Sequence, residues 1–237
     1  MRREHRRELK HDRFVDQVGS LSGKARDNQR MILIGLVAAV VIALGVYGAM
    51  AWHSGSEQRA QNALAAAITT VDSPLLPQPG GQPIPGAKYK TDAERSAAAE
   101  KQFTEVTSKY SGTDAADVAG LYLARFDAAR GDTAKARELL QKFISDHPNH
   151  VLVGSARFSL YQLRIENGES AQVATELQAE IAKPSPALPP DTLLVLLAHA
   201  YDAQNNGVKA KEAYKRITTE YPDSPYALEA QRRVGPA

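Results

Sequence analysis

The 237 residues carry 29 Lys or Arg against 27 Asp or Glu and contain no cysteine. Near charge balance disfavours a nucleic-acid partner, which needs a basic face against its phosphates, and the missing thiols exclude a disulfide framework, a lipid-modified cysteine and a thiol nucleophile. Any folded domain is held by its apolar core alone.

Residues 1–30 form a basic segment, with nine Lys or Arg against five acids. Residues 31–52, from Met31 to Trp52, carry no charge, and at about 1.5 Å of rise per residue they reach roughly 33 Å, enough to cross a bilayer once as a helix. The excess of basic residues before the run predicts a cytoplasmic amino terminus, with residues 53–237 across the membrane. Ala49-Met50-Ala51 has the form of a signal-peptidase site. The apolar run exceeds the roughly 7–15 residues of a signal peptide, however, so a retained anchor is the reading. Removing the head from the charge totals leaves 20 basic and 22 acidic residues, a net charge of −2 for the exported part. Gly35, Ala39 and Ala43, then Gly45 and Ala49, are spaced to let the span pair with another helix, which leaves homo-oligomerisation open.

Beyond the span, residues 56–71 read as a helix that partners another over 92–110. Between them lies a Pro/Gly-rich loop at 73–90, either a tolerated surface insertion or an extended peptide ligand or tether. From there the chain repeats itself. Residues 130–143 align with 204–217 at an offset of 74 without a gap, and the half-step of 37 finds Gly168, Val173 and Leu177. Four helices then share one register. Ala99, Ala136, Val173 and Ala210 form a column of small residues, and Phe103, Leu140, Leu177 and Tyr214 a column of large ones. Small residues let helices approach while the large ones fill the groove. Between them fall helices near 114–130, 152–166 and 190–204, ending at Gly131, Gly168 and Asn205, residue types suited to a left-handed cap. Ser224-Pro225 then opens a last helix to about Arg233.

Chemistry-bearing patterns are sparse. His147 and His150 stand beside Asp146 but flank Pro148 in a turn, so no metal site is assigned. His199 and Asp202 are three apart on a helix with no nucleophile in a recognisable setting, and read as a surface pair. No phosphate loop, nucleophile elbow or zinc-protease motif occurs. The chain is read as a non-enzyme with no cofactor.

The hairpin pattern resembles the tetratricopeptide repeat. In residues 117–148, Leu123, Ala124, Gly131, Ala136 and Pro148 stand at that family's Leu, small, Gly, Ala and Pro positions, and a later copy keeps Leu197, Ala198, Ala210, Tyr214 and Pro222. Gly120, Arg157 and Leu194 depart from its frequent Trp, Glu180 from a small apolar position, and the period of 37 from its 34. The fold expected is all-α: one N-terminal transmembrane helix followed by a tetratricopeptide-like α-solenoid of helical hairpins. The resemblance implies a peptide- or protein-binding groove lined by the first helix of each hairpin, with Val118, Leu121 and Arg125, then Ser155, Phe158 and Gln162, then Thr192, Val195, His199 and Asp202. Leu121, Phe158 and Val195 would make an apolar strip beside a polar one of Arg125, Gln162 and His199.

The whole layout resembles the YfgM family of ancillary subunits of the bacterial SecYEG translocon, grouped with a periplasmic cell-division coordinator that has similar repeats. Arg7-Glu8-Leu9-Lys10-His11-Asp12-Arg13-Phe14 also looks like the cytoplasmic start of such proteins. What this implies is a non-enzymatic adaptor in the inner membrane with its large domain in the periplasm, chaperone-like where exported chains emerge. The alternative is an envelope-assembly or cell-division scaffold acting through self-association.

Overall fold

The computed structural model describes residues 29–77, 79 and 81–235, with side chains described from Ala38 to Tyr47 and again from Gly55 onward. The chain divides into two units, one ending at Ser56 and one running from Glu57 to the carboxyl end. Helix α1, Gln29–Asp72, takes in both the apolar run and the 56–71 segment that the sequence reads as separate elements. No proline interrupts it, and Gly55 alone is too weak a breaker to end a helix at a cost of about 1 kcal/mol. Among the described residues no helix is long and apolar enough to cross a membrane. Much of the 31–52 reading falls on side chains outside the described ones, and residues 1–28 of the basic segment 1–30 lie outside the described residues.

In the larger unit the helices follow as hairpins: α2, Asp92–Lys109; α3, Asp114–Ala129; α4, Thr133–Asp146; α5, Val153–Arg164; α6, Ser170–Ile181; α7, Pro190–Ala203; α8, Gly207–Glu220; and α9, Ala227–Val234. From α2 onward each packs chiefly on its neighbours in sequence, the pattern of a solenoid. The register explains why. Ala99, Ala136, Val173 and Ala210 are at most 2% exposed and Phe103, Leu140, Leu177 and Tyr214 at most 5%, so both columns face the next helix at every step.

The starts and stops are chemical. Thr91 and Thr113 accept from the backbone N–H of Glu94 and Ala116, capping α2 and α3. Glu57 on α1 accepts from the N–H groups of Asp114 and Ala115 at 3.0 and 3.2 Å, so a carboxylate sits on the positive end of α3. Gly131, Gly168 and Asn205 hold φ of +84°, +85° and +57°, the left-handed stops their residue types imply. Gly131→Ala meets no neighbouring atom within 4 Å, yet it places a Cβ in the left-handed region, so it should cost about 1–2 kcal/mol, read as a lower thermal midpoint.

The middle hairpin turns sharply between its two helices. Residues Ile165–Glu169 form a kinked turn between α5 and α6, with Asn167 and Gly168 out of helical conformation. Arg164 pins it, donating to Glu169 at 2.8 Å and to both oxygens of Glu176 at 2.6 and 2.8 Å, while Arg137 also pairs with Glu169. Hydrogen bonds from these arginines hold both carboxyls below their ordinary range. Glu180 accepts from the N–H of Ala187 at 2.7 Å, tying down the turn before α7. The Pro/Gly-rich loop is closed at its ends, with Leu76 N–H donating to Tyr89 at 2.8 Å and Arg95 to the Ser73 carbonyl at 2.7 Å.

Two apolar cores result, one around Phe103 and Val106 and one around Leu193 to Ala198. Helix α7 is buried along nearly its whole girth because α6, α8 and the side chains of α9 surround it, so its sequence is apolar without the usual polar stripe. The last helix begins at Ala227 rather than at Pro225. Ser224 is held in the preceding turn, donating to Asp191 at 2.8 Å and accepting from Tyr226 N–H at 3.1 Å.

Candidate protein-binding groove

The ten groove residues divide into two sets. Leu121 and Arg125 on α3 and Ser155 and Gln162 on α5 line one cavity of about 430 Å³. Its floor is apolar, with Leu140 and Leu163 beneath Ala124, Ala128 and Ala156, and Glu166 joins Arg125 and Gln162 around it. Arg125 is exposed and makes no ion pair with any described residue. The same side chain borders a second cavity of about 240 Å³ with Val71, Arg95, Ser96 and Phe126, so it stands between two depressions.

The other set is occupied by the chain itself. Val118 is 9% exposed and Val195 not at all, so neither offers surface and the continuous apolar strip through Val195 is corrected. Phe158 stacks on Tyr226, ring centroids 6.4 Å apart and planes 12° from parallel. Thr192 is half-buried in the first turn of α7 beside Asp191, the residue that holds Ser224. His199 Nε2 lies 3.0 Å from Glu229 on α9 rather than pairing with Asp202. Asp202 instead accepts from the Tyr214 hydroxyl at 3.1 Å, with Arg233 4.0 Å away. Burial, with Asp202 beside it, pushes the Tyr214 hydroxyl above its ordinary value. Val118 lies in the first core and Val195 in the second, whereas Phe158, His199 and Asp202 are met by Tyr226, Glu229 and Arg233, which lead into and form α9. Its signal was in the sequence as an amphipathic segment with small residues at Ala227 and Ala230, both buried here.

His147 and His150 each face an aspartate at the start of α3, His147 with Asp117 at 3.0 Å and His150 with Asp114 at 3.3 Å. Both rings also pack on Phe143, with centroids 5.1 and 5.2 Å away. They act as struts between α3 and the α4–α5 turn. Among the described residues no group of three or more such side chains is placed to hold a metal ion.

A domain-family model described as a tetratricopeptide repeat-like domain matches residues 26–216. The chain belongs to this tetratricopeptide repeat-like family. The helical hairpins and the buried columns are the form that membership takes here, and such repeats serve contacts between proteins. Among solved structures the chain is similar to a Podosopora anserina putative kinesin light chain with nearly identical tetratricopeptide-like repeats, at 17% identity, covering 75% of this chain and 84% of that one with a TM-score of 0.48. No curated protein matches it.

Proposed function

We propose that this tetratricopeptide repeat-like protein is a non-enzymatic adaptor that holds a segment of another protein between α3 and α5. The observation that carries the reading is the open cavity that gathers Leu121, Arg125, Ser155 and Gln162 on one face, with an apolar floor and a polar rim suited to an extended or helical segment. The finer reading adds a single membrane anchor at 31–52, supported by the uncharged run and the basic residues before it, and a periplasmic position near the export translocon, supported by the resemblance of the layout. On that reading the clients are exported chains or translocon subunits. The envelope scaffold, working through the small residues of the span, is the second reading.

Photocrosslinking from positions 125 and 162 in native membranes, compared with Lys142 on the opposite helix of the hairpin, tests the groove. Capture from the cavity positions should exceed that from 142 at least fivefold. Equal capture from both faces overturns the groove as the contact surface.

A further inference from the structure

The cavity between α3 and α5 exists because of four small residues. Ala124, Ala128, Ala156 and Ser159 line it; one repeat of 37 residues later their register positions hold Tyr161, Ile165, Leu193 and Leu196. Leu193 and Leu196 have no exposed surface, Ile165 is 8% exposed, and Tyr161 packs against the same core, so the equivalent space in the next repeat is filled by the chain's own side chains. The first repeat thus keeps open a volume that its copy closes. Empty apolar space forfeits dispersion contacts on every wall, so an occupant with a bulky apolar side chain gains all of them.

The rim states the rest of the chemistry. Arg125 projects beside the opening without a carboxylate partner among the described residues, while the other nearby arginines are engaged: Arg130 with Glu100 and Asp127, Arg95 with Asp92. One repeat on, the same polar column carries Gln162, and two repeats on His199, which is met by the carboxylate of Glu229, three residues after the aromatic Tyr226 that lies on Phe158. Phe158 is the register partner of Leu121. The molecule therefore already contains an aromatic anchor followed three residues on by a carboxylate on this face, whereas at the open cavity no described carboxylate pairs with Arg125, Glu166 of the lining included.

We infer that the α3–α5 cavity is an anchor pocket for one bulky apolar or aromatic side chain of a partner protein segment whose neighbouring carboxylate pairs with Arg125. This rests on the groove reading above and narrows it to a partner chemistry. Apolar burial supplies most of the attraction, and Arg125 selects the sign of the flanking charge.

The test uses the full chain in detergent and three acetylated pentapeptides: Asp-Glu-Phe-Asp-Glu, its Ala-centred form, and Lys-Lys-Phe-Lys-Lys. The acidic Phe peptide should bind, with the Ala-centred and basic forms at least tenfold weaker. Arg125→Glu should reverse the order of the acidic and basic Phe peptides, and Ser159→Leu with Ala128→Ile, which installs the chain's own filling side chains, should remove binding of all three. Arg125 is exposed, so its variant reads the charge preference even if the filled cavity misfolds. Binding indifferent to charge, binding retained in the filled variant, or no binding by any peptide overturns the inference. If positions 125 and 162 still capture a protein in membranes while the peptides fail, this inference falls and the groove reading stands.

Discussion

Leu177→Ala is expected to lower the stability of the helical domain by about 2–5 kcal/mol, seen as a fall of several degrees in the thermal midpoint of the full chain. Leu177 has no exposed surface and lies in the core that also holds Val173, Leu193 and Tyr214. Helix α7, buried on almost every side, cannot tilt into the space without dragging α6 and α8, so little of the cavity collapses. The reverse change at the small column completes the argument. Ala136→Leu and Ala210→Leu put a branched side chain where at most 2% of the surface is free, and overpacking there should cost about 1–3 kcal/mol. A truncation in one column and an enlargement in the other that both leave the melt unchanged would mean that the two columns do not carry the helix contacts.

The repeat was legible because it is written twice. Two columns in four helices at a constant step of 37 residues constrain rotation about each helix axis, and a one-position error in any helix would place Lys135, Arg137 or Lys211 in the core. The left-handed caps were legible for a similar reason, since Gly and Asn are the residues that tolerate φ near +60° to +85°. What escaped was set by context. The clamp on the Ile165–Glu169 turn is Arg164 reaching Glu169 and, twelve residues on, Glu176, and no local pattern announces a side chain that bridges two helices.

The groove was half legible. Periodicity identifies the face of a helix but not what lies over it, and Leu121, Phe158 and Val195 share one register position with three different fates. Leu121 borders open space, Phe158 lies under Tyr226, and Val195 is sealed inside the second core. The difference arises from residues elsewhere: small ones at 124, 128, 156 and 159 open the first position, and the end of the chain closes the third. A cavity is a deficit of neighbouring volume, which becomes visible in sequence once the copies are compared position by position for size rather than for polarity.

Helix α9 is the element whose removal should alter the molecule most selectively. Ala230 has no exposed surface where α9 meets the core, and Ala230→Glu puts a carboxylate into that contact without a counter-charge. Seated there, an unpaired charge costs roughly 3–5 kcal/mol. An eight-residue helix has no stability of its own to set against that cost, because isolated helices below about 12–15 residues are marginal in water. The variant therefore sheds α9 rather than burying the charge. Hydrogen exchange should show protection lost across 227–234 and reduced in α7, whose Leu193, Val195 and Leu196 lose their cover, while α2 to α4 exchange as before. The stacked Phe158 and the paired His199 become surface, so a crosslinker at 158, silent in the parent chain, should begin to capture partners. Full protection of 227–234 in the variant would show that α9 is held by something other than this contact, and that the closed half of the groove is not closed by α9.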